Sequence, residues 1–182
     1  VSSPQLDQEE RGFSFARKGP LDMRMDPEDE PLSELLERLS TDELADVLYQ
    51  YGDERRSRPI ARSIKAALER GELSTTEDLR RAVVRVLGPK RAGSDPATRT
   101  FQALRIMVNR EFEQLEALLG AAADLLADDG RLAIISFHSG EDRIVKHSFR
   151  ENPALSVITK KPLEPSEEEQ RRNPRARSAK LR

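Results

Sequence analysis

The chain has 182 residues, with 33 acidic side chains against 31 basic ones, a net charge of −2, 36% hydrophobic residues and only 4% aromatic ones. That length suits one domain, or one domain with an insertion, around a small aliphatic core. The absence of cysteine excludes disulfides, a thiolate zinc site and a cysteine nucleophile, two histidines make no histidine metal centre, and no apolar run approaches membrane-spanning length, so neither metal nor membrane is expected.

Residues 1–26 read as loops, punctuated by Pro4, Gly12, Gly19 and Pro20. From Pro31 the pattern turns helical, with Leu32, Leu35, Leu36 and Leu39 on one face. Ser40-Thr-Asp-Glu43 is a capping box that opens a second helix through Leu44, Val47, Leu48 and Tyr51, stopped at Gly52. A third helix is predicted over about 58–70, and a fourth from Ser74-Thr75 to the Gly88-Pro89 stop. Four short amphipathic helices must bury their apolar faces on one another, so residues 27–92 read as a helical module.

After a linker from Lys90 to Pro96, one long helix is predicted from Thr98 to Ala127, its buried stripe running from Phe101 through Leu104, Val108, Phe112, Leu115 and Leu119 to Leu125 and Leu126. Leu132 to Phe137 is a nearly continuous apolar run, expected as a strand buried on both faces in a parallel sheet. Glu141 to Arg150 reads as a helix with Ile144, Val145 and Phe149 inward, and Leu155 to Thr159 as a second strand. Helix, strand, helix, strand gives the class α/β, interrupted by the helical module. The expected division is 1–26 and 93–165 as core, 27–92 as the inserted domain and 166–182 as a basic tail, in which Arg171 to Arg182 contains no acid.

Three strings carry a resemblance: Gly19-Pro-Leu-Asp-Met-Arg-Met-Asp26, Ser136-Phe-His-Ser-Gly-Glu-Asp-Arg-Ile-Val-Lys146 and Asn173-Pro-Arg-Ala-Arg-Ser-Ala-Lys-Leu-Arg182. Together with Arg11 to Phe15, Pro96 to Arg105 and Val108-Asn109, they resemble the RsmH (MraW) family, which methylates a cytosine of 16S rRNA on its exocyclic N4 amine near the decoding centre. The resemblance implies a class I, Rossmann-like, S-adenosylmethionine-dependent methyltransferase core with an inserted all-helical domain. It also implies the small ribosomal subunit as partner, a cytoplasmic location and no metal, with a homodimer left open. The family's Gly-rich cofactor loop would precede Val1. The chain is therefore expected to be the C-terminal part of such an enzyme, inactive by itself.

Candidate site residues follow. The resemblance puts Gln5 at a position that contacts S-adenosylmethionine. Ser3 and Pro4 stand where amine-directed methyltransferases carry a Ser/Asp/Asn-Pro-Pro-aromatic loop, which implies that Ser3 accepts a hydrogen bond from the target amine; the alternative is an ordinary Ser-Pro turn. Phe13 or Phe15 would stack on a flipped base, or serve as core. Arg24 would meet phosphate, or be buried against Asp22 or Asp26. Arg105 and Asn109, four apart, share a helix face, with Arg99 at the same helix's amino end, as RNA contacts or as exposed surface. His138 follows the expected strand as a candidate general base, weighed against orienting its loop or binding RNA, and Ser139 is expected to cap the next helix. Gly140 stands where the family usually has a bulky Leu, a departure expected to loosen the turn. Lys160, Lys161, Arg175, Arg177, Lys180 and Arg182, together with Arg143, are expected to neutralise RNA phosphates, the alternative for the tail being a merely solvated terminus.

Two rival readings stay open: a non-catalytic RNA-binding or ribosome-assembly protein of the same descent, and an amine methyltransferase directed at DNA.

Overall fold

The computed structural model describes residues 8–14, 18–89 and 95–182. The chain divides into two compact units, Val1–Arg110 and Glu111–Arg182. Among the described residues it is mostly helical with one small two-stranded sheet.

The first unit is built from α1 (Leu32–Arg38), α2 (Thr41–Gly52), α3 (Ser57–Glu69), α4 (Thr76–Leu87) and α5 (Thr98–Val108). Its helix starts are local decisions. Ser40 accepts the Glu43 amide at 3.2 Å while Glu43 reaches back to the Ser40 amide at 2.8 Å. Thr75 and Asp78 make the same reciprocal cap on α4. Leu32, Leu36, Leu44, Leu48, Ile60, Ile64, Leu79, Val83 and Leu104 are fully buried in one core. The C-terminal carbonyls of α1 are met from another helix, since Lys65 of α3 donates to Leu36 O at 2.7 Å and Leu39 O at 2.6 Å.

Three expectations need correction here. The single helix from Thr98 to Ala127 is two, because Arg110 adopts φ +48° and ends α5 before α6 (Glu111–Leu125) begins. The helical unit does not stop at 92, for α5 packs against α2 and contributes Phe101, Leu104 and Val108 to the same core. Gly52 is the last residue of α2 rather than the residue beyond it, and Asp53 takes the left-handed conformation at φ +48°. Glycine is required at 52 for a different reason: a Cβ there would stand 2.7 Å from the Arg99 carbonyl oxygen of α5.

The second unit contains α6, β1 (Ile135–Ser136), α7 (Ser139–Glu151), α8 (Glu167–Arg172) and β2 (Lys180–Leu181). Its core is small, centred on Leu119, Ala122, Val145 and Ala176. The expected buried parallel strand is short and antiparallel, with Ile135 opposite Leu181 and Ser136 opposite Lys180. Leu163 exchanges both backbone hydrogen bonds with Leu181 on the other side, so β2 is the middle of this pairing. Ile135 and Phe137 are each more than half exposed, because only one face of so short a ladder is covered. The strand expected at Leu155 to Thr159 is irregular, and Ile158 is 73% exposed. Residues 166–182 are not an open tail: α8, a 3-10 turn over Pro174–Ser178 and β2 fold them back onto Ile134 and Ser136.

Candidate functional site

In the first unit the Asp22 to Asp29 loop is fastened from two directions. Arg24 donates from Nε and Nη2 to the two Asp22 carboxylate oxygens, both at 2.9 Å, and from Nη1 to Pro27 O and Asp29 O at 2.7 and 3.2 Å. Four of its hydrogen-bond contacts therefore close on its own loop, the buried alternative weighed for this residue. The guanidinium hydrogen bonds hold the Asp22 carboxyl below its ordinary value. Asn109, 8% exposed at the end of α5, accepts the Met25 amide at 2.6 Å and donates to Met23 O at 2.8 Å and to Arg105 O at 2.9 Å. It thus holds a fully buried Met23 whose φ is +62°.

Arg99 is exposed and reaches Asp53 O at 3.4 Å, while Arg105 is half-buried. Phe13 is buried at 5% exposure, as core. Ser3, Pro4, Gln5 and Phe15 lie outside the described residues.

In the second unit, strand, loop and helix meet at Ser136 to Asp142. The cap of α7 corrects the expectation for Ser139: it is His138 whose Nδ1 accepts the Glu141 amide at 3.3 Å. The Glu141 carboxylate returns to the Phe137 and His138 amides at 2.8 and 3.3 Å. An imidazole that accepts at Nδ1 carries its proton at Nε2 when neutral, a tautomer assigned from the hydrogen bonds. Its one basic lone pair is then spent on the cap. His138 Nε2 is buried without a hydrogen bond, 3.3 Å from Glu141 Oε1 but off the bonding direction.

Phe112 of α6 packs over Gly140. A Cβ there would stand 2.5 Å from Phe112 Cζ of α6, whose ring lies 5.8 Å from the His138 ring. The side chain missing at 140 is replaced by Phe112.

Asp142, in the first turn of α7, is 12% exposed in its side chain and pairs with Arg182 at 2.6 Å and Lys180 at 3.6 Å. The Arg182 hydrogen bonds hold its carboxyl below the ordinary value. Two cations that the sequence assigns to a phosphate-binding tail are thus committed inside the unit.

Arg143, Arg175 and Arg177 are exposed and do not line one cleft with Lys160. The structure instead groups Lys160 with Lys146 and Arg150 around Phe149 in a cleft of 270 Å³. Sequence reading missed Lys146 and Arg150, although their spacing of four already placed them on one helix face. A larger cleft of 690 Å³ adjoins it and shares Phe149, Val157, Thr159 and Arg182.

The family model described as the MraW methylase family matches residues 1–182. The chain is 62% identical over 184 residues to a protein of Sorangium cellulosum named ribosomal RNA small subunit methyltransferase H, covering all of this chain and 58% of the relative. Proteins of the same name from a Synechocystis strain and from Methylobacterium nodulans are 55% and 48% identical, over 185 and 202 residues. All of this chain again matches, so it spans about 60% of each of those relatives.

Proposed function

The chain belongs to the MraW methylase family, and on that premise we propose that it serves methyl transfer to the exocyclic N4 amine of a cytosine in the 16S rRNA of the small ribosomal subunit. The observation that carries this reading is the match of the whole chain, residue 1 to residue 182, to one family and to relatives named as ribosomal RNA methyltransferases. S-adenosylmethionine supplies the electrophilic methyl group when bound. Gln5 lies outside the described residues, and the 690 Å³ cleft does not include His138.

The chemistry asked of the chain's own residues is positional. The lone pair of a cytosine amine is delocalised into the ring, and acceptors aimed at its protons favour the pyramidal nitrogen that attacks. Ser3 and Pro4 are the residues proposed for that contact. His138 serves by fixing the loop between β1 and α7, not by taking the proton, because its basic nitrogen already accepts the Glu141 amide. Arg24 and Asn109 shape the Asp22 to Asp29 loop, while Arg99, Arg105, Arg143, Lys160, Arg175 and Arg177 offer positive charge to RNA. The cytoplasm, where subunits mature, is the compartment this reading implies.

The test is a chimera that joins the remainder of the Sorangium cellulosum relative to this chain. It is assayed for transfer of labelled methyl from S-adenosylmethionine to small subunits lacking the modification. Transfer at a rate near that of the parent is expected. A folded chimera that is inert while the parent is active would sink the reading.

A further inference from the structure

We propose that the paired clefts of the second unit form a binding site for an unpaired nucleotide of RNA. Its phosphate would lie among Lys146, Arg150 and Lys160, and its base against Phe149. The site rests on the ribosomal RNA reading and specifies where on this chain the RNA is held.

Three cations meet in the smaller cleft. Four cations of this unit are matched: Arg171 with Glu167, Arg172 with Glu168, and Lys180 and Arg182 with Asp142. Among the described residues, Lys146, Arg150 and Lys160 have no ion-pair partner, yet all three line the same cleft of 270 Å³. Glu151, next to Arg150 in sequence, instead reaches His147 at 3.4 Å. A helix C-terminus favours Lys146 and Arg150 on α7 electrostatically, but that accounts neither for Lys160 on a separate segment nor for the convergence on one ring.

That ring completes the chemistry. Phe149 is half-buried and lines both clefts, the smaller one with the three cations and the 690 Å³ one with Leu126, Leu132 and Leu155 beside Asp128, Asp129 and Arg131. An anion joined to a flat aromatic group matches this pairing, and a nucleotide is such a ligand. An acidic peptide or an anionic membrane would use the charges without the ring and the slot.

The experiment is fluorescence anisotropy of this chain with a short, labelled single-stranded oligoribonucleotide across a salt series. Replacing Lys146, Arg150 and Lys160 together by Gln is expected to weaken binding about tenfold or more and to lower the log–log salt slope by about 0.7, the value for one phosphate contact on a single strand. Replacing Arg171 and Arg172 by Gln is expected to change neither. Phe149→Leu should weaken RNA binding while leaving binding of inorganic polyphosphate unchanged. Protection of Lys146 and Lys160 from acylation by bound RNA reads the same contact in the unsubstituted protein. Unchanged affinity and slope in the triple variant, or no RNA protection of the two lysines, would overturn the site. Equal effects of Phe149→Leu on RNA and polyphosphate would overturn the base contact, as would anionic vesicles displacing the RNA equally from wild type and F149L. An active chimera with unaltered RNA binding by the triple variant rejects this site alone. An inert chimera with binding that depends on the three cations rejects the methyl-transfer reading alone.

Discussion

Arg182 Nε donates to Asp142 Oδ1 at 2.6 Å, tying the last residue of the chain to the first turn of α7. The two side chains are 9% and 12% exposed, so solvent screens the pair little. Arg182 also exchanges backbone hydrogen bonds with Ile134, at 2.8 and 2.9 Å. Arg182→Gln should cost about 2 kcal/mol of unfolding free energy, with Lys180 remaining to Asp142. Denaturant unfolding of the chain measures this. A change within error of zero would mean that the pair adds nothing to the fold.

The same pair makes stability depend on acid. Arg182 lowers the Asp142 carboxyl below its ordinary 3.8, so on acidification the unfolded state takes up the proton first. The contribution is fully present above the unfolded value and is lost as pH falls through the folded one. Wild type should therefore lose stability more steeply below about pH 4 than Asp142→Asn does. Parallel acid limbs would contradict it.

Asn109 meets three backbone groups at once, which no smaller or purely acceptor side chain can do. Asn109→Ala should destabilise by about 2–3 kcal/mol. Asn109→Asp, though isosteric, should cost at least as much, because a carboxylate cannot donate to Met23 O or Arg105 O. Urea midpoints of the two variants check the order, and a nearly neutral Asp variant would refute the hydrogen-bond assignment.

Phe112 fills the space over Gly140. Gly140→Leu should destabilise by about 1–3 kcal/mol through overpacking. Adding Phe112→Ala should recover part of that loss, a favourable coupling of about 1 kcal/mol in a double-mutant cycle. Additive effects would mean that the two positions do not compete for one volume.

His138 is the residue where capping and catalysis make opposite forecasts. Asn is a good cap and no base, so His138→Asn should keep methyl transfer in the chimera within a few-fold. His138→Ala should lose about 1 kcal/mol of stability. Loss of transfer by a hundredfold in the folded Asn variant would restore the general-base role.

The helical boundaries of the first unit were legible because their causes are local. Ser40 with Glu43, and Thr75 with Asp78, act within one turn, and leucines three and four apart define a face before any tertiary contact exists. The break at Arg110 was not legible. Phe101 through Leu126 keep helical spacing across it, whereas the stop is recorded in an Asn109 side chain bonded to residues more than eighty positions away. The strand at Leu132 to Phe137 was misread for a related reason. An apolar run reports what a segment prefers to touch, but its burial depends on which neighbours cover it.

By itself the sequence determined the family, through strings whose residue order needs no fold to be recognised, together with the helix starts of the first unit. Tertiary structure alone decided which partners the charged and polar side chains meet. Arg24, Arg182 and His138 all read as candidates for RNA or catalysis. Folding commits the first two to carboxylates, Asp22 and Asp142, and the third to the amide of Glu141. Hydrogen bonds and ion pairs fall off within a few ångströms and depend on direction. Which partner a side chain finds is therefore set by distances that only the folded chain defines.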